Sequence, residues 1–117
     1  MNSFTLTKDE RLKRGDFRSI RWVKYSETNH FALLIHENRY ESERIAVTVR
    51  RQIGDAVVRN RIKRLIKESF RLHKNLFMKG CDNLIKVKRA PEKITFHGVH
   101  EELTDLLKRG KTRMSIR

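Results

Sequence analysis

The apolar positions of this chain fall into short runs whose period changes from place to place. Residues 1–15 are polar and basic, with Phe4, Leu6 and Leu12 as sizeable anchors. Asp16 follows Gly15 and is an acceptable N-cap, so a first helix is expected over residues 16–25. Phe17, Ile20 and Val23 or Lys24 would share one of its faces, with Trp22 and Tyr25 adding aromatic bulk. Residues 26–29 then read as a loop. The run Phe31-Ala32-Leu33-Leu34-Ile35 suits a buried strand, and 37–43 reads as a polar, hairpin-like connection with Asn38 as its best turn residue.

Two later segments alternate with a period of two, the signature of a strand. In 44–50, Ile45, Val47 and Val49 oppose Ala46, Thr48 and Arg50; in 83–89, Ile85 and Val87 oppose Lys86 and Lys88 before Ala90-Pro91 stops the pattern. Between them, 58–76 has helical spacing. A last helix is expected over 99–109, where Val99, Leu103, Leu106 and Leu107 form a stripe and Gly110 supplies a C′ stop. Residues 1–110 then make a single domain, and 111–117 a basic, mobile tail. Three strands are clear and a fourth would come from splitting 29–50. The fold class is α+β, a small two-layer α/β sandwich with helices covering a short sheet.

Charge narrows what such a domain does. Among 117 residues, 28 Lys and Arg stand against 14 acidic residues, a net charge of +14. A compact domain so unbalanced attracts polyanions, so a partner rich in phosphate is expected. Cys81 is alone, which excludes an intramolecular disulfide and a multi-cysteine metal site. The N-terminal residues lack the apolar core of a signal peptide, and the longest apolar run, Phe31 to Ile35, falls far short of a membrane span. A soluble, cytoplasmic protein is expected.

The charge concentrates on the helix of 58–76. On a helical wheel Val58, Ile62, Leu65, Ile66, Leu72 and Leu76 gather on one arc. Arg59, Asn60, Lys63, Arg64, Lys67, Arg71 and Lys74 fall opposite, with Arg61 at the boundary and Glu68 as the one acidic residue between Arg59 and Lys74. An ordinary solvated face alternates sign to gain Glu–Lys pairs one turn apart. Here Lys63, Lys67 and Arg71 follow at steps of four with no carboxylate on their line, an arrangement that destabilises the isolated helix. A nucleic-acid face explains it. The triplet Arg59-Asn60-Arg61 adds planar donors and an amide that could serve RNA or DNA. No helix-turn-helix spacing, zinc-finger pattern or heptad extension supports a DNA groove reader.

Other chemistry is sparse, and neither a protein catalytic residue nor a metal ligand set is assigned. Asp16, Asp55 and Asp82 are isolated beside expected element boundaries and read as caps or turns in preference to metal ligands. His97 and His100 could share a face but lack a third ligand, while His30, His36 and His73 show no pairing logic. Cys81 reads as partly buried and unreactive, and Phe70 and Phe77 as core residues. No phosphate-binding Gly loop or nucleophile motif occurs.

The stretch from Gly54 through Arg71, with Arg59-Asn60-Arg61 followed by Ile62-Lys63-Arg64, closely resembles the signature of the bacterial ribonuclease P protein component. Arg11-Leu12-Lys13, Asp16-Phe17 and the strand from Val47 to Arg51 fit the same pattern, so the resemblance covers roughly residues 9–109. It implies a four-stranded sheet with three helices and a left-handed strand–helix–strand crossover, against the usual rule. It also implies a function. The protein would assist a catalytic RNA that removes the 5′ leader of precursor tRNA, with Mg²⁺ held mainly by the RNA and one protein copy per RNA.

Carried over by position, the catalytic-RNA contacts are Arg59, Asn60, Arg61, Lys63, Arg64 and Lys67, with Arg71 continuing the face. The leader would lie in a cleft between the first helix and the sheet, contacted by Phe17, Arg50 and Arg51. The chain departs from the family at Arg21 and Leu34, where aromatics are usual, and at Gln52, where a third basic residue is common. Trp22 beside Arg21 could substitute. Stacking a base on an aromatic is worth about 1–3 kcal/mol, so the cleft otherwise relies more on charge. The alternatives are a structural, ribosome-associated RNA-binding protein and a self-sufficient metal-dependent nuclease, the latter disfavoured by the scattered carboxylates.

Overall fold

The computed structural model describes residues 21–37, 43–74, 77 and 80–115. In chain order its elements are β1 (Val23–Glu27), β2 (Phe31–Glu37), β3 (Arg44–Val49), a short 3-10 turn (Arg51–Ile53), α1 (Ala56–Leu72), β4 (Cys81–Val87) and α2 (Phe96–Ser115). The strands form one four-stranded sheet in the order β1-β2-β4-β3. β2 lies antiparallel to both β1 and β4, whereas β3 runs parallel to β4 across the α1 crossover.

The alternation of apolar and polar residues separates the faces of the sheet. Phe31, Leu33, Ile45, Val49, Ile85 and Val87 point into a core shared with Ile62, Leu65, Ile66 and Phe70 of α1 and Val99, Leu103, Leu106 and Leu107 of α2. Each such large side chain removed from water stabilises the fold by roughly 1.5–3 kcal/mol. α1 packs on β3, α2 packs on β1 and β2, and the helices pack on each other. The architecture is therefore the expected α+β sandwich, with two α-helices among the described residues.

Several expectations are corrected. Residues 23–25 do not end a helix but begin β1, and Arg21 and Trp22 before it are not helical. The rest of the expected helix, residues 16–20, lies outside the described residues. A register shift between Lys24 and Ser26 lets the consecutive residues Tyr25 and Ser26 both turn inward. Ser26 Oγ there donates to Leu106 O at 2.6 Å. That break in the period of two conceals the strand, and it makes β1, not a divided 29–50, the fourth strand.

The expected hairpin between β2 and β3 does not form, because β4 lies between them. β4 is buried along nearly its whole length, so it takes the sheet centre, with a parallel partner reached through α1. Asn38 itself lies outside the described residues. Asp82, expected to cap or turn, is instead inside β4 and 1% exposed at its side chain. Arg44, its register partner on β3, donates to it through Nε at 2.7 Å and Nη2 at 2.9 Å.

Helix bounds shift as well. α1 starts at Ala56, where Asp55 caps it by accepting the Val58 N–H at 2.9 Å, and ends at Leu72. Residues 75 and 76 of the expected helix are outside the described residues, and Leu72 is 50% exposed, not buried on the apolar arc. α2 begins three residues before its expected start and continues through Gly110 to Ser115. Gly110 is thus no C′ stop, and residues 111–115, expected in the tail, are helical. No helix among the described residues is long and apolar enough to cross a membrane.

Candidate nucleic-acid interface

Cations are displayed on α1 because the apolar residues along its middle turns are committed to the core. Ile62, Leu65, Ile66, Ser69 and Phe70 are buried, while Asn60, Arg61 and Arg64 are exposed and Arg59, Lys63, Lys67 and Arg71 half-buried. Arg61, placed at the boundary by the wheel, therefore belongs to the open face. Among the described residues, Arg59, Arg61, Lys63 and Arg64 have no carboxylate partner. The expected segregation of charge holds in three dimensions.

Two of these arginines are oriented by backbone. Arg59 Nε donates to Gly54 O at 3.1 Å, and Arg61 Nε donates to Ile94 O at 2.9 Å. Each bond restrains a long side chain and leaves its terminal NH₂ groups to meet an anion, so less rotamer entropy is lost on binding.

A second basic surface lies where β3 and β4 end. Trp22, Thr48, Arg50, Gln52, Ile53, Leu84, Lys86 and Lys88 line a cleft of about 910 Å³. Leu84 is the register partner of Leu34, and Thr48 that of Lys86, so all four belong to the sheet face opposite the core. Trp22 is half-buried and meets His36 of that face edge-on, ring centroids 6.4 Å apart. One cleft cation is already paired: Lys88 Nζ lies 3.0 Å from Glu27 Oε2. Hydrogen bonds from Lys88 and then Lys24 hold the Glu27 carboxyl below its usual range.

Of the leader residues expected from the sequence, Trp22 and Arg50 line the cleft and Leu34 shares its face. Arg51 and Arg21 are exposed but not in the lining, and Phe17 lies outside the described residues. Lys86, Lys88 and Thr48 were missed as site residues, although the alternation of Lys86 and Lys88 in a strand was the available signal. Cys81 is buried, and burial pushes its thiol up, with Glu37 and Asp82 adding to the shift. Both effects disfavour the thiolate that a nucleophile requires.

The histidines prove to be partnered. His30 Nδ1 lies 2.7 Å from Glu102 Oε1, and Thr28 Oγ1 donates to Glu102 Oε2 at 2.6 Å. His100 bonds Ser69 Oγ at 2.7 Å and makes stacked ring contacts with His73 and with Phe96. These contacts join α2 to the β1–β2 turn and to α1, so they brace the scaffold that presents the cations. His97 makes an exposed pair with Glu101 at 3.1 Å.

Comparison with known proteins places this arrangement. The profile of the family described as Ribonuclease P matches residues 6–111. The ribonuclease P protein component of Syntrophus aciditrophicus is 41% identical over 109 residues, covering 92% of each chain. That of Thermotoga maritima is 32% identical over 111 residues, covering 92% of this chain and 95% of the relative. Among solved structures, the RNase P protein of Thermotoga maritima superposes with a TM-score of 0.70 at 29% identity, over 86% of this chain and 96% of that one. The Staphylococcus aureus RNase P protein superposes with a TM-score of 0.73 at 26% identity, over 85% and 93%.

Proposed function

The chain belongs to the ribonuclease P protein family, and on that premise we propose that its two basic surfaces hold two different RNAs. It is the protein component of ribonuclease P, an endoribonuclease, and works with that enzyme's RNA subunit. The family match leaves the ribosome-associated alternative unfavoured. In the proposed division, α1 grips the catalytic RNA and the cleft on the opposite face of the sheet receives the 5′ leader of precursor tRNA.

Hydrolysis belongs to the RNA subunit and its Mg²⁺ in this reading. Three carboxylates of the described residues are already engaged: Asp55 caps α1, Asp82 is clasped by Arg44, and Glu102 is held by Thr28 and His30. Among the described residues no group of three or more His, Cys, Asp or Glu side chains converges. The protein's part is positional. Arg59, Asn60, Arg61, Lys63, Arg64 and Lys67, continued by Arg71, engage the phosphate backbone. Trp22 stacks a leader base while Arg50 and Lys86 neutralise phosphates, the combination used to hold single strands without sequence readout. One protein serves one RNA.

The observation that carries this reading is the unpaired Arg59-Arg61-Lys63-Arg64 face standing apart from a cleft that contains Trp22 and its own cations. Replacing Lys63 and Arg64 by Ala is expected to weaken binding to the RNA subunit and to lower the salt dependence by roughly 0.7–0.9 log units for each phosphate no longer neutralised. An unchanged slope would remove both residues from the interface.

A further inference from the structure

The connection between β4 and α2, residues 88–95, is absorbed neither by the helix nor by the cleft. It is held at several points. The Lys88 N–H donates to His30 O at 2.7 Å, and its ammonium pairs with Glu27 at 3.0 Å. Ala90 and Ile94 pack against the core, as does Phe96 just beyond. Ile94 O accepts the Nε–H of Arg61, which ties the connection to the open face of α1. Thr95 caps α2 by accepting the Gly98 N–H at 3.2 Å.

With its apolar residues turned inward, the connection exposes Arg89, Glu92 and Lys93. The stretch carries three cations, Lys88, Arg89 and Lys93, and one carboxylate, Glu92, with Lys88 already paired to Glu27. A polar loop anchored at both ends and in its middle loses little conformational freedom when it meets a partner. Its joint to α1 is Arg61, itself part of the cationic face.

We propose that residues 88–95 form a second RNA-contacting strip, with Arg89 and Lys93 binding the phosphodiester backbone of the same RNA subunit that α1 grips. This rests on the reading of α1 as the RNA-subunit face. An RNA is the fitting occupant because the strip adjoins that face through the Arg61–Ile94 bond and carries its sign of charge. The strip widens the footprint on the RNA from one helix face to a helix and the loop beside it.

The test uses the full chain with its cognate ribonuclease P RNA made by transcription, in binding measurements across a salt series. Arg89→Ala with Lys93→Ala is expected to weaken binding about 10-fold near 0.1 M salt and to lower the salt slope by about 1.5 log units, the share of two neutralised phosphates. Glu92→Lys adds a cation to the strip and is expected to tighten binding and steepen the slope, a gain that misfolding cannot imitate. Lys63→Ala with Arg64→Ala is measured in parallel. If that helix pair weakens binding while both strip variants leave affinity and slope unchanged, the inference is overturned and the reading of α1 stands. If the strip variants respond and the helix pair does not, the strip is upheld and the reading of α1 falls. Loss of binding to polyglutamate in R89A/K93A, with full RNA affinity, assigns the strip to an acidic protein and overturns the inference.

Discussion

Gly110 of α2 lies directly against the ring of Tyr25 on β1, so closely that a β-carbon at position 110 would fall within the ring, against Cε2, Cδ2 and Cζ. Tyr25 is buried, and the same burial pushes its hydroxyl above the usual pKa, with the Cys81 thiol adding to the rise. In an open helix Gly→Ala would stabilise by about 1 kcal/mol through propensity. Here the overlap reverses the sign, and Gly110→Ala is expected to destabilise by about 1–3 kcal/mol. Urea unfolding decides it, and a stabilised variant would mean that β1 and α2 do not meet this closely.

The Arg44–Asp82 pair is a second point of high sensitivity. Its carboxylate is 1% exposed and its guanidinium side chain 13%, and the two residues are register partners on β3 and β4. Arg44→Ala leaves a buried charge without its main counter-ion and is expected to cost about 3–5 kcal/mol. Replacing both residues by apolar ones of similar volume should cost much less. Equal losses in the single and double variants would show that the pair itself, and not the stranded charge, supplies the stability.

Glu102 gives acid sensitivity. Burial alone would raise its pKa, but hydrogen bonds from Thr28 and His30, with His30 nearby, outweigh that and hold it below 4.5. A depressed carboxylate adds stability that is present above the unfolded value and lost as pH falls through the folded one. Stability should therefore fall on acidification below about pH 4.5, and Glu102→Gln should be less stable at neutral pH with a flatter acid limb. Thermal melts across that range test both features.

His100 acts nearer neutrality. Desolvation first, then His73 and His97, lower its pKa from 6.5, against an opposing effect of Glu101; Ser69 and Phe96 complete its surroundings. The unfolded chain then takes up the proton first, so stability is complete above about pH 6.5 and declines as pH falls through it. His100→Gln is expected to remove that decline, and a wild-type melting temperature constant from about pH 7.5 to about 5.5 would contradict the assignment.

Trp22 separates the two proposed RNA sites. Trp22→Ala should weaken precursor tRNA with a leader by the equivalent of about 1–3 kcal/mol, the worth of one stacked base, and leave the affinity for mature tRNA unchanged. Equal loss for both substrates would remove Trp22 from the leader site. The comparison is made with the assembled ribonucleoprotein.

Local patterns along the chain encode much of this protein. A period of two marked β3 and β4, helical spacing marked α1, and the capping chemistry of Asp55 was readable from its place before Ala56. The cationic face of α1, with Arg59-Asn60-Arg61 at its start, needs only the helical repeat to assemble, because every residue in it lies within a few turns. Net charge and that face together were enough to indicate a nucleic acid as the partner, and the resemblance carried by Arg59-Asn60-Arg61 narrowed it to RNA.

Long-range competition determined the remainder. β1 looked helical because the shift at Lys24–Ser26 breaks its alternation, and the packing of Tyr25 and Ser26 on α2 is what favours the strand. Gly110 resembled a helix stop until the ring of Tyr25 supplied a reason for glycine inside a helix. His30 seemed unpartnered because Glu102 stands 72 residues away. In each case the residue type was visible along the chain, but the contact joins elements distant in sequence, and no local period encodes such a meeting.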